Sequence, residues 1–210
     1  MLADELLPVF DISDSVATVV RADLATTWDA LMTVDLIEVS RRRPLVAMLG
    51  ALRAAPAIVS DLLHGEPPKR PPKQLRLHDT TKIPIKEGGW LLVGERPQNE
   101  IALGLVGKFW RPVIEFADVT VEQFRTFAAP GFAKTIYSLS VRPLGDGNTL
   151  LTGVMRTATT DDQARRWFRR YWALGVGAGA HLLVDGLLDV TREMAEEKVG
   201  AGDSGATVRS

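Results

Sequence analysis

The chain has 210 residues, of which 46% are hydrophobic and 24% are charged, an ordinary balance for one globular domain. Its 25 Lys and Arg against 26 Asp and Glu give a net charge of −1, which argues against a generic, strongly basic nucleic-acid binder. It contains no cysteine, which excludes disulfides, cysteine nucleophiles and Cys-ligated metal sites.

The N-terminal region does not resemble a signal peptide, because its first 14 residues carry four acidic side chains and no basic one. The longest apolar stretch, 45–63, is interrupted by Arg53, Pro56 and Asp61. A membrane span needs about 20 apolar residues. We therefore expect a cytoplasmic protein with no stable membrane insertion.

The first predicted elements are a strand and a helix. Residues 15–22 alternate so that Val16, Thr18 and Val20 share one face. Asp23 follows as the N-cap of a helix that begins at Leu24.

Extra helices are expected after this first strand and helix. The Ala- and Leu-rich stretch 45–63 predicts two short helices, because Pro56 lacks the N–H of an interior helical residue. Residues 66–73 contain four prolines and predict an exposed, extended connector.

Beyond the connector the periodicity changes towards two, which is typical of strands. A Gly-Asp-Gly-Asn turn at 145–148 predicts a hairpin between the last two of them. We therefore expect an α+β fold with an antiparallel sheet of about six or seven strands. The later strands are predicted at 90–95, 100–109, 121–127, 133–142 and 149–158.

The C-terminal part is predicted to be helical. Asp161 and Asp162 begin a helix, and three glycines at 175, 177 and 179 indicate a break or a tight packing site. The helix is expected to resume at Ala180 and to end near Val199. Residues 1–199 then form a single domain, and 200–210 a disordered tail.

Three stretches carry a resemblance to a known superfamily: VRADLATTWDAL (20–31), EIALGLVGKFWRP (100–112) and FRRYW (168–172). With this order of elements, the chain resembles the START-like, or SRPBCC, superfamily of polyketide cyclases and lipid-binding proteins, in particular an uncharacterised bacterial subgroup. The resemblance implies a helix-grip fold, in which a curved antiparallel sheet wraps around a long C-terminal helix with a cavity between them. The 45–63 segment is longer than a minimal family member needs, and from this we infer that its helices form a lid over the cavity.

Catalytic and metal-binding motifs are sparse. His64 and His78 are interpreted as surface loop residues, and no histidine spacing typical of a metal site occurs. Serine elbows and phosphate-binding loops are also missing, so we expect neither metal nor cofactor. His181 is the weak catalytic candidate, since Asp185 lies one helical turn further on; the two form either a general base or a plain surface pair.

The ligand of such a fold would contact the inward-facing side chains of the sheet and the last helix. Arg156 could orient a polar group there, or equally point to solvent. Gly179 is placed at the mouth of the cavity. The predicted cavity residues are Trp110, Phe124, Phe127, Tyr137, Leu139, Met155, Arg156, Gly179, Leu183 and Leu187.

Two functions follow from the resemblance. The first, which we favour, is a carrier or sensor that holds a small hydrophobic or amphipathic molecule in an internal cavity. The alternative is an aromatase/cyclase-like enzyme acting on a polyketide or a related apolar substrate. The arginines at 41–43 and 165–170 are interpreted as solvated, because the second run covers several faces of one helix; contact with a membrane surface or a nucleic acid is the less favoured reading. We expect no nucleic-acid partner, and the sequence does not indicate an oligomeric state.

Overall fold

The computed structural model describes residues 1–42 and 72–207, with isolated positions between 44 and 59, and side chains as far as Ala201. The described residues form a curved, open antiparallel sheet of six strands in the order β1-β6-β5-β3-β2, with β4 paired to β3. The predicted α+β fold, a sheet with a long C-terminal helix, is confirmed. The strands are β1 (Ile12–Val20), β2 (Leu91–Arg96), β3 (Glu100–Lys108), β4 (Glu115–Phe116), β5 (Ala133–Gly145) and β6 (Asn148–Thr159).

Three of the described helices begin where the sequence supplies a side-chain cap, two of them at aspartates. The Asp23 carboxylate accepts the Thr26 N–H at 2.7 Å, and the Asp161 carboxylate accepts the Ala164 N–H at 2.7 Å. A π-helical turn, Trp172–Val176, joins the last two helices, and a 3₁₀ turn spans Ile85–Glu87. The helices are α1 (Leu2–Leu6), α2 (Leu24–Thr33), α3 (Leu36–Arg42), α4 (Leu77–Thr80), α5 (Val121–Thr126), α6 (Asp162–Tyr171) and α7 (Gly177–Thr207).

The sheet has an inner face, which α7 covers, and an outer face. Alternation along β5 and β6 places Leu139 and Leu151 on the inner face, in one cluster with Leu188 of α7. Gly153 lets the helix approach closely, because a Cβ there would collide with Val184 Cγ1. The inner face is therefore the one that can enclose a cavity.

The outer face is covered by α1 and α5, which pack on the other side chains of the same strands. Phe124 is fully buried there with Ile136. Glu100 is also buried; its carboxylate accepts the Leu2 N–H at 2.8 Å and the Ser138 hydroxyl. These hydrogen bonds fix α1, an element that the sequence did not predict.

One predicted strand is wrong. Residues 121–127 do not form a strand, because Thr120 caps a helix over most of them: its side chain accepts the Gln123 N–H, and the Gln123 side chain accepts the Thr120 N–H at 2.9 Å. This reciprocal capping outweighs the aromatic, strand-like composition. The nearby strand is instead the two-residue β4.

The C-terminal helix also differs from the expectation. The break falls at Leu174 and Gly175, and Gly175 takes a φ of +98° that glycine adopts without strain. Helix α7 then begins at Gly177, and its backbone is helical to Thr207, past the expected end near Val199. Most residues of the predicted helix pair at 45–63 and of the connector 66–73 lie outside the described part of the chain. The role of that helix pair as a lid therefore stays a prediction.

Among the described residues, the helical stretch Asp162–Ala201, which includes the break at Gly175, is long and apolar enough to cross a membrane by length and composition. This is weak evidence, since core helices of soluble proteins pass the same test. Here Val184, Leu187, Leu188 and Val190 of that stretch are buried within the protein. The sequence-based expectation had overlooked this stretch, because the glycines and arginines interrupt its apolar run.

Candidate functional site

A cavity of two lobes lies between the inner face of the sheet and the C-terminal helices. The outer lobe has a volume of about 310 Å³ and the inner lobe about 280 Å³. Trp90 and Tyr137 line both lobes and separate them, with their rings edge to face and 5.2 Å between centroids. The outer lobe is at the lower limit of about 300 Å³ for small-molecule sites, and the inner lobe is slightly below it.

The lining of both lobes is mainly apolar and comes from elements far apart in the chain. Strands β3, β5 and β6 provide the sheet side, since every second residue faces α7. The outer lobe is lined by Gly88, Trp90, Leu105, Phe109, Ile114, Phe116, Thr135, Tyr137, Met155, Thr157, Phe168, Tyr171, Trp172, Val176 and Ala180. The inner lobe is lined by Leu36, Val39, Ser40, Leu77, Thr80, Trp90, Leu103, Tyr137, Leu139, Leu183, Val184 and Leu187.

Few polar groups interrupt the apolar lining of the outer lobe. Thr135 and Thr157 are buried on neighbouring strands, and their hydroxyls bond to each other at 2.7 Å. None of the described residues forms a hydrogen bond with the Tyr137 hydroxyl. The Tyr137 hydroxyl therefore has hydrogen-bonding capacity to spare; so do the Tyr171 hydroxyl, which also lines this lobe, and the threonine whose O–H does not donate within the pair.

The Tyr137 hydroxyl stays protonated. Burial raises the pKa of Tyr137 well above its usual range, and the nearby Tyr171 and Asp14 add to the effect. A neutral phenol both donates and accepts one hydrogen bond in this lobe. The arrangement suits an uncharged oxygen on an otherwise apolar molecule, because an unpaired charge here would lose its hydration.

His181 lies outside this cavity, in an open surface groove of about 380 Å³ that also involves Ser13 and Trp172. Its Nδ1 is 2.9 Å from Asp14 Oδ2 on the edge strand β1. The predicted pairing of His181 with Asp185 is therefore wrong, because the histidine side chain reaches across to the sheet instead of along its own helix. Trp172 is the one aromatic side chain that borders both the groove and the outer lobe.

The structure brings five of the predicted cavity residues together and separates the others. Tyr137, Leu139, Met155, Leu183 and Leu187 line the two lobes. Phe124 and Phe127 pack on the outer face, because 121–126 is a helix on that side. Those two placements in the cavity are corrected.

Arg156 also belongs to the outer face. Its guanidinium is 2.6 Å from Asp4 Oδ1 of α1 and lies over the Phe10 ring, 4.5 Å from the centroid. Residues 155 and 156 necessarily point to opposite faces, so Met155 lines the cavity while Arg156 does not. Arg156 therefore cannot orient a ligand in either lobe.

Trp110 and Gly179 lie near the cavity without lining it. Trp110 follows the end of β3 and packs beside Phe109 and Phe168, with Phe109 as the actual lining residue. Gly179 sits in α7 between Ala178, which lines the groove, and Ala180, which lines the outer lobe. In each case a sequence neighbour lines the outer lobe instead: Phe109 in place of Trp110, and Ala180 in place of Gly179.

Several lining residues were missed. Thr135 alternates with Tyr137 in the sequence, so its inward direction was available from the pattern. Trp90, Leu105 and Trp172 carry no comparable local signal, since their shared location depends on the pairing of strands and the bend before α7.

Among the described residues, no group of three or more His, Asp or Glu side chains is placed to hold a metal ion.

Comparisons with known proteins add little to this geometry. No protein-family model matches the chain. No curated protein matches its sequence. Among solved structures, the chain is similar to the crystal structure of a conserved protein from Geobacillus kaustophilus, at 14% identity and a TM-score of 0.38, over 89% of this chain and 96% of that one. The fold itself defines the class: an α+β protein whose curved antiparallel sheet holds a long C-terminal helix.

Proposed function

We propose that this protein binds a small, uncharged, largely apolar molecule in the two-lobed cavity, as a carrier or sensor of the START-like type. The observation that carries the proposal is a half-open, largely apolar space in which the Tyr137 hydroxyl has no hydrogen-bond partner among the described residues. Binding needs only this shape and chemistry, and no catalytic pair.

The size of the lobes limits the ligand class. An apolar cavity of about 150 Å³ holds a benzene molecule. Each lobe, near 300 Å³, then suits roughly one or two fused rings or a short branched chain. A ligand with a hydroxyl or carbonyl oxygen would bond to Tyr137, and a longer ligand would displace the Trp90 ring to occupy both lobes.

We do not extend the proposal to a cyclase-like enzyme. Such a reaction needs acid and base groups converging on the substrate. The catalytic candidate His181 pairs with Asp14 instead of Asp185, and this pair faces the surface groove. The described lining of the outer lobe provides tyrosine and threonine hydroxyls. These groups can form hydrogen bonds with a ligand, but none of them is a carboxylate or imidazole that could act as a general base.

The test compares two ligands that differ in a single hydroxyl. Saturable displacement of the neutral fluorescent probe N-phenyl-1-naphthylamine by 2-naphthol and by 2-methylnaphthalene measures both affinities. In the Tyr137→Phe variant we expect 2-naphthol to bind about 3- to 10-fold more weakly, the value of one hydrogen bond, with 2-methylnaphthalene unchanged.

The control is Phe127→Leu, on the outer face, which should leave both affinities as they are. A second variant, Leu139→Trp, fills the inner lobe and should reduce the binding of probes that extend into it. Failure of the wild-type protein to bind any of these probes saturably would refute the proposal. Equal losses for both naphthalenes in Tyr137→Phe would refute the role of the hydroxyl.

A further inference from the structure

We propose that the turn between α6 and α7, with the arginines that precede it, docks on an anionic lipid surface. The patch consists of Arg166, Trp167, Arg169, Arg170 and Leu174. This inference concerns the outside of the molecule and does not depend on what the cavity holds.

The first observation is an apolar tip held in solvent. Leu174 is 85% exposed, more than any other large hydrophobic residue of the described chain. Its neighbour Gly175, with φ +98°, lets the chain bend so that Leu174 projects outward. Trp167, two turns earlier, is 48% exposed. A single exposed leucine is common, but a leucine and a tryptophan beside a charged cluster are a feature of interacting surfaces.

The second observation is local charge. From residue 163 to residue 184 the sequence has four arginines and no carboxylate, although the whole chain carries a net charge of −1. Arg165 pairs with Asp11 and Asp162. Within the described part of the chain, Arg166, Arg169 and Arg170 have no carboxylate within 4.0 Å, and Arg170 lies over the Trp167 ring. Three guanidinium groups are thus free to meet anionic groups.

These two features together match an anionic lipid interface better than other polyanions. Tryptophan and leucine insert at the boundary between headgroups and acyl chains, while arginines bind the phosphates. Each such arginine contributes about a fivefold gain in affinity for an anionic membrane. Nucleic acid would use the arginines in the same way but would gain nothing from Leu174.

The patch lies next to residues that line the outer lobe of the cavity. Trp172 and Val176, in the same turn as Leu174, line the outer lobe of the cavity. The exposed Val113 precedes Ile114, which lines that lobe as well. Contact through this turn would bring the cavity mouth to the lipid surface. The arginines and the bend at Gly175 favour contact with the surface over insertion of the helix across it.

Co-sedimentation with vesicles tests the proposal. The full-length protein should bind vesicles of phosphatidylcholine mixed with phosphatidylglycerol, bind phosphatidylcholine alone weakly, and dissociate as salt is raised. The double variant R169E/R170E should lose more than tenfold in affinity. Leu174→Ser, which removes the apolar side chain without adding charge, should lose several-fold, and the size of this loss should change little with salt concentration. All variants are first checked for an unchanged circular dichroism spectrum.

The matched control is Leu144→Ser. Leu144 is 52% exposed at the β5–β6 hairpin, about 40 Å along the 12-residue β6 from the start of α6. This variant should bind vesicles like the wild type. Equal binding to both lipid compositions, or an equal loss in the control, would overturn the proposal. Tight binding of random-sequence DNA that Leu174→Ser leaves unchanged would also overturn it and identify a nucleic-acid surface instead.

Discussion

Replacing Gly153 by alanine should lift the C-terminal helix from the sheet. Gly153 lies on the inner face of β6, and an added Cβ would come closer to Val184 Cγ1 than real Cβ contacts do. It would also lie 3.3 Å from Leu139 Cδ2. Valine is branched at Cβ and stiff in a helix, so Val184 cannot rotate away cheaply.

The cost can be worked from this geometry. To restore ordinary contact, the helix must move from the strand by roughly 1 Å. Overpacking of this kind costs about 1–3 kcal/mol. Alanine is a better strand residue than glycine by up to about 1 kcal/mol, which offsets part of the loss. The net loss of about 1–2 kcal/mol lowers the Tm by roughly 2–8 °C in a chain of this size.

Thermal unfolding followed by circular dichroism measures this change, and probe titration gives a second readout. Val184 and Leu139 both line the inner lobe, so a displaced helix should also alter probe affinity there. Gly200→Ala is the control, since an added Cβ meets nothing within 4 Å at that helical position; its Tm should stay the same or rise slightly. If Gly153→Ala matched or exceeded the wild-type Tm, the close seating of α7 on β6 would be wrong.

Two further substitutions test the pH dependence and the two faces of the sheet. Burial raises the pKa of Asp11, but hydrogen bonds from Thr159 and the charge of Arg165 outweigh it, so the pKa lies below its usual value. The stability that Asp11 contributes is therefore present above the unfolded pKa of about 3.9 and is lost as pH falls through the lower folded value. The Tm of Asp11→Asn should fall less between about pH 5 and pH 3 than the wild-type Tm, and parallel curves would contradict this. Phe124→Leu, in the fully buried outer-face cluster, should cost about 1 kcal/mol without changing probe affinity, and a clear affinity loss would return Phe124 to the cavity.

Part of the fold could be predicted from the sequence because it depends on interactions between residues that are close together in the chain. Helix starts at Asp23 and Asp161 were predicted correctly, because a capping carboxylate acts on N–H groups only three residues away. The Gly-Asp-Gly-Asn hairpin was predicted for the same reason. Residues 121–127 misled the prediction, since a capping box at Thr120 and Gln123 decided the helix against aromatic strand propensity.

The sequence by itself determined which side chains share a face. Alternation along β5 grouped Tyr137 with Leu139, and along β6 it opposed Met155 to Arg156, because the side-chain period of a strand is a property of its own backbone. It could not determine which of the two faces α7 covers, since both faces of these strands are apolar and both are covered.

Tertiary structure decided the rest of the site. His181 pairs with Asp14, 167 residues away, whereas the spacing on its own helix suggested Asp185. The Tyr137 hydroxyl faces a lobe whose lining also includes residues of β3, β6 and the C-terminal helices, elements that are far apart in the chain. Contacts of this kind depend on how separate elements pack, and packing over such sequence distances leaves no periodic pattern in either partner.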